Sequence, residues 1–154
     1  KFDKRSLILD KLIKSNPHIN FSLHGIHDKQ PLWSDNFKSS LYNSRMALNL
    51  SQGMPTKYYS SDRIAQLIAN GILTFVDVKT KLNKFFSNDE VIFYKSMNDL
   101  SNKINFYKKN KKLRNQIAKK GKHKYLKHFN STKVAEYIIN KTMDYKSKKK
   151  YIWD

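Results

Sequence analysis

The stretch Ile72-Leu73-Thr74-Phe75-Val76, set between Gly71 and Asp77, limits the fold of this 154-residue chain more than any other. It is nearly unbroken in apolar side chains, as expected of a strand covered on both faces. Strands of that kind belong to parallel sheets, whose right-handed crossovers lay helices over them. Gly71 reads as the stop of a preceding helix, introduced by Ser60, Ser61 and Asp62 and running through Asn70.

The rest of the chain alternates in the same way. Lys4 to Ser15 places Leu7, Ile8, Leu12 and Ile13 on one helical face, and Asn16-Pro17 stops it. Ile19, Phe21 and Leu23 alternate with Asn20, Ser22 and His24 before Gly25, which predicts a strand ending in a turn, followed by a loop from Gly25 to Ser34. A short helix is expected from Asp35 to Arg45, capped by Ser34 or Asp35, and a strand from Met46 to Leu50. A polar loop from Ser51 to Tyr59 holds Gly53 and Pro55. Later come a short helical stretch from Lys79 to Phe86 and a strand from Val91 to Tyr94. Helices follow at Asn98–Lys108, Lys111–Phe129 and Ser131–Met143, with Gly121 expected to weaken or bend the second. Strands separated by helices give an α/β, Rossmann-like parallel sheet with helices on both faces, one domain over residues 1–145. Residues 146–154 form a basic tail, and Lys146 to Lys150 is expected to be solvated and mobile.

Composition closes off several classes of function. Without cysteine there is no disulfide framework, thiolate metal site or cysteine nucleophile. No window approaches the roughly 20 apolar residues of a membrane span, and no signal segment opens the chain. The expected location is the cytoplasm or the inner face of the membrane. The net charge of +19 suggests phosphate backbones, but only Arg5, Arg45, Arg63 and Arg114 are arginines. Base-edge and bidentate phosphate recognition favour arginine, so no specific nucleic acid is expected. A basic nucleic-acid- or anionic-membrane-binding module stays as the alternative reading. The chain starts at Lys1 and enters a helical pattern at once, which reads as part of a longer protein.

In parallel sheets ligands sit beyond the carboxyl ends of the strands, where helix N-termini point. Four glycines cannot build a G-x-G-x-x-G or P-loop cradle. The loop from Gln52 to Asp62 offers another: charge from Lys57 and Arg63, hydroxyls from Tyr58, Tyr59, Ser60 and Ser61, and the open amides of a helix start. On these residues alone, a diphosphate cradle and a plain helix cap with tyrosines covering the sheet edge stand level. His24, His27 and Asp28 lack a spaced partner cluster and are read as loop residues, with no metal expected; His123 and His128 are read as surface residues.

The run Arg63-Ile-Ala-Gln-Leu-Ile-Ala-Asn-Gly71-Ile-Leu-Thr-Phe-Val-Asp77 resembles the helix, glycine and strand of group 1 glycosyltransferases, especially the branch related to spore-maturation glycosyltransferases. Phe93-Tyr94, Asp99-Leu100, Leu113-Arg114, Ile117-Ala118 and Gly121 resemble that family's closing pattern, so the likeness spans about residues 5 to 140. The resemblance implies the C-terminal, nucleotide-sugar-binding half of a GT-B enzyme, with the acceptor domain lying N-terminal to it. It implies that Lys57 and Arg63 meet the donor diphosphate and stabilise the leaving group. The Ser60 and Ser61 amides would assist, with Tyr58 and Tyr59 beside them, and Gly25 and Ile26 would receive the base through main-chain contacts. Gln66 stands where the family usually has a ribose-binding glutamate, and the glutamate pair eight residues apart would fall on Tyr58 and Gln66, neither of them acidic. The implied partners are a nucleotide-sugar donor, used as substrate without cofactor or metal, and a glycan or lipid-linked acceptor in surface glycan synthesis. The missing acids leave open a catalytically degenerate interaction domain.

Overall fold

The computed structural model describes residues 4–50, 55–145 and 149–154. In chain order the helices and strands are α1 (Lys4–Lys14), α2 (Ser34–Asn43), β1 (Met46–Asn49), α3 (Asp62–Ala69), β2 (Leu73–Asp77), β3 (Ile92–Tyr94), α4 (Met97–Lys109), α5 (Lys111–His128) and α6 (Ser131–Thr142). The strands pair in parallel in the order β1-β2-β3, with Met46 beside Leu73 and Phe75 beside Ile92. The fold is α/β and Rossmann-like.

The central strand is nearly all apolar because both of its faces are covered, and its buried Thr74 hydroxyl donates to the Ile72 carbonyl. Leu73, Phe75, Ile92 and Tyr94 face Leu12 of α1, Leu100 and Ile104 of α4, and Ile117 and Ala118 of α5. On the other side Val76, Val91 and Phe93 meet Ile64 and Ile68 of α3 together with Leu82 and Phe86. Full burial of such a side chain contributes about 1.5–3 kcal/mol, so these two layers are the main source of stability.

Local chemistry sets the ends of the elements. Gly71, at φ +74°, stops α3 in the left-handed conformation, and the Ile72 amide turns back to the Leu67 carbonyl at 3.1 Å. At the start of α4 the Ser96 hydroxyl accepts from the Asp99 amide while the Asp99 carboxylate accepts from the Lys95 amide, a reciprocal cap. Asn16, wholly buried beyond α1, donates to the Leu12 carbonyl and accepts from Ser101 and Asn105, which ties the end of α1 to α4.

Several sequence expectations are corrected. Ile19–Leu23 is not a strand: it pairs with no other strand, although Ile19 and Phe21 still pack on the core. Its alternation records one buried side, which burial alone can impose without a hydrogen-bonded ladder. The stretch from Lys79 to Phe86 is two 3-10 turns, Val78–Thr80 and Leu82–Lys84, because Lys81 at φ 57° interrupts any continuous helix. Neither Ser34 nor Asp35 caps α2: its N-cap is Trp33, with no side-chain hydrogen bond. Beyond the tail residues 146–148, which lie outside the described residues, Lys149 pairs with Glu136 and Tyr151–Trp153 pack back on the domain.

Gly121 does not break α5, which runs continuously from Lys111 to His128. The glycine is there for closeness: a Cβ would lie 2.2 Å from the Glu90 carbonyl oxygen and 3.6 Å from Ile68. The Gly121→Ala variant separates the two accounts by sign. Helix propensity alone predicts a gain of about 1 kcal/mol, whereas the backbone clash predicts a loss of about 1–3 kcal/mol in urea unfolding.

Candidate functional site

A cavity of about 1110 Å³ runs along the outer edge of β1, between that strand and the irregular segment 19–26. Its lining mixes apolar residues, Ile19, Phe21, Leu48 and Phe75 among them, with polar ones such as Asn20, Ser40 and Asn43. Four residues proposed from the sequence meet here: Gly25, Ile26, Arg63 and Gln66. Arg63 and Gln66 lie three apart on α3 and therefore share a face.

The cavity also collects arginines. Arg5, Arg45 and Arg63, three of the chain's four arginines, line it, with Arg45 at the start of β1 and Arg63 at its end. A guanidinium holds an anion through a planar fork of donors, whereas lysine acts as a point charge. Sequence reasoning missed Arg5 and Arg45; the signal was the scarcity of arginine itself. Arg63 donates to the Leu50 carbonyl at 2.6 Å, which fixes the guanidinium at the end of β1. Arg45 donates to the Tyr42 carbonyl at the start of the same strand.

The Gly25 turn is closed tightly. Gly25 takes φ +68°, its amide donates to the Gln30 carbonyl, and the Lys29 amide donates to the Ile26 carbonyl. The Gly25 carbonyl and the Ile26 amide remain outside that turn's bonding among the described residues. His24 shares its Nε2 with the Ser22 and Ser40 hydroxyls, and His27 pairs with Asp10 at 3.1 Å, so the two histidines face different partners.

Lys57, Tyr58, Tyr59, Ser60 and Ser61 do not line this cavity. The Tyr58 amide donates to the Thr80 carbonyl at 2.7 Å, which pins the loop to the turn after β2. Lys57 and Lys84 both stand over the Tyr58 ring, at 4.9 and 5.8 Å from its centre. Ser61 is the N-cap of α3, but its hydroxyl makes no capping bond, so the first-turn amides keep donors available. The earlier part of the loop, Gln52 and Gly53 included, lies outside the described residues. At the neighbouring strand ends, Asn49 keeps a buried side-chain oxygen with no partner among the described residues. Tyr94 is held neutral: burial, and then the Asp77 carboxylate, push its phenol well above the ordinary value.

Tyr58 is the first ring of an aromatic series. It meets Phe85 edge-on at 5.4 Å, Phe85 meets Phe129 at 6.2 Å, and Phe129 meets Trp153 at 5.6 Å. Phe129 also contacts Phe86 and Tyr125, so the series converges on one ring. Phe129→Ala is expected to cost about 2–3 kcal/mol in urea unfolding, below the roughly 3–5 kcal/mol of a fully buried phenylalanine because this ring is only half-buried.

Among the described residues no helix is long and apolar enough to cross a membrane. The chain matches no curated protein and no solved structure. It matches the family described as glycosyl transferase-like over residues 4–140, most of its length. With a parallel sheet flanked by helices and an arginine-lined cavity beside its edge strand, the chain belongs to the glycosyl transferase-like family.

Proposed function

We propose that this protein is the nucleotide-sugar-binding half of a GT-B glycosyltransferase of the group 1, spore-maturation-related type. In this reading it transfers a sugar to a glycan or lipid-linked acceptor hydroxyl in surface glycan synthesis. The observation that carries the proposal is the gathering of Arg5, Arg45, Arg63 and Gln66 around one cavity beside the Gly25 turn. The donor's diphosphate sits against Arg63 and the open amides at the start of α3, where cationic forks and helix N-termini favour phosphate. Lys57, held over the Tyr58 ring outside the cavity, adds positive charge only at longer range. As the sugar leaves, charge grows on the departing diphosphate, and these groups hold it more strongly in the transition state than in the ground state.

Gln66, one turn into α3, reaches the cavity with a side-chain amide that accepts and donates. It serves the ribose diol without the charge of a glutamate. The Gly25 carbonyl and the Ile26 amide are the main-chain groups offered to the base. The acceptor and the general base belong to an N-terminal domain across a cleft, and the donor is bound without metal. The neutral residues at Tyr58 and Gln66 favour a second reading, a domain kept for protein contacts. Nucleotide binding without transfer by the full-length enzyme would support that one.

Titration calorimetry with a panel of nucleoside diphosphates and their sugar conjugates tests the proposal. One nucleotide is expected to bind. Arg63→Ala should weaken it about tenfold or more, the loss of a charge-assisted hydrogen bond worth about 1.5–3 kcal/mol. Gln66→Ala should weaken it several-fold less. Absence of binding by the full-length protein at millimolar nucleotide would overturn the reading.

A further inference from the structure

Positive charge is not spread evenly over this chain. From Leu100 to Ala135 there are twelve lysines and arginines and no carboxylate, against a net charge of +19 for the whole protein. Most of this segment is α5, an 18-residue helix about 27 Å long. Its buried side, Arg114, Ile117, Ala118 and Gly121, is turned to the sheet and α3. At about 100° per residue, Lys112, Lys119 and Lys127 fall on the opposite half of the helix, Lys122 stands at the edge of that half, and Lys111 lies in the first turn nearer the buried side. All five are exposed, and among the described residues none has an acidic partner. Lys120 and Lys124, at the border, reach back to Asp89 and Glu90. The accumulated field is felt by His128, whose imidazole is held below its ordinary value, first by burial and then by Lys127, Lys124 and Lys133, with Glu90 opposing.

We propose that this lysine face of α5 docks the protein on an anionic lipid bilayer. Charge complementarity supplies the attraction, since juxtaposed lysines are drawn to the negative surface potential of acidic lipids by roughly fivefold in affinity each. The makeup of the face distinguishes a lipid surface from a nucleic acid. The only arginine of the segment, Arg114, is buried and donates to the Tyr107 carbonyl, so the face offers no guanidinium fork. It carries no phenylalanine, tyrosine or tryptophan that is open for base stacking, because Tyr125 is half-buried in the core. Instead Leu126, 47% exposed, stands within the same arc between Lys119 and Lys122, an apolar side chain ringed by cations as in helices that lie in a membrane interface.

Co-sedimentation of the purified protein with phosphatidylcholine vesicles, with and without phosphatidylserine, tests this. Binding is expected only with phosphatidylserine, and it should fall as salt rises from about 0.01 to 0.15 M. Replacing Lys112, Lys119, Lys122 and Lys127 together by glutamine, which retains helix propensity, should weaken binding by more than about tenfold. The control replaces Lys11, Lys14, Lys29 and Lys38 by glutamine; it changes net charge equally but lies off α5, and it should retain most of the affinity. Circular dichroism verifies that both variants fold. Equal loss in the two variants would reduce the effect to bulk charge and overturn the proposal. So would equal binding to neutral vesicles, or binding of single-stranded RNA at 0.15 M salt with no vesicle binding.

Discussion

The close seat of α5 on the backbone before β3, made possible by Gly121, is the constraint on which the remaining geometry depends. With no side chain at that point, the helix axis approaches the Glu90 carbonyl and Ile68 closely enough to pack both α3 and the sheet. The second core layer is built on that approach, and α3 is held by it. Arg63 and Gln66 project from α3, so their place at the cavity follows from a backbone contact on the far side of the helix. A helix that was merely adjacent would leave α3 with its strand contacts and without the packing of α5.

How much of this the sequence disclosed depends on whether a residue's role was local. The run Ile72–Val76 announced a doubly covered strand because burial on both faces leaves little room for polar residues, Thr74 being the exception, and Gly71 announced a helix stop because φ +74° strains most other residues. Ile19–Leu23 misled for the converse reason. Alternation encodes a buried side and an exposed side, whereas strand identity also needs a partner edge, which depends on distant residues. Gly121 carried an ambiguous signal, since low helix propensity and close packing call for the same residue. In the candidate site, Arg63, Gln66, Gly25 and Ile26 were legible from family likeness, while Arg5 and Arg45 reach the cavity only through tertiary folding. Lys57 to Ser61 were placed with them by sequence proximity, and the hydrogen bond from Tyr58 to Thr80 turns that loop toward the aromatic cluster instead.

The two cation types divide the molecule. Arginine is concentrated around the cavity, at both ends of its edge strand, and the one arginine elsewhere is buried. Lysine covers the outside, most densely on α5, where charge acts at a distance and geometry matters little. This division explains why net charge alone said little about function: the sum mixes three cavity-lining arginines with a surface field of many lysines.

The aromatic series from Tyr58 to Trp153 has an optical consequence. The chain has two tryptophans, and they occupy opposite environments: Trp33 is 75% exposed at the start of α2, whereas Trp153 is stacked on Tyr151 and in contact with Phe129 and Tyr137. Emission from Trp33 belongs to the solvent, and emission from Trp153 belongs to the ring cluster that ends at Tyr58. The protein thus contains two intrinsic fluorophores in opposite surroundings, and the packing of the ring cluster around Phe129 can be followed through Trp153 with no label attached.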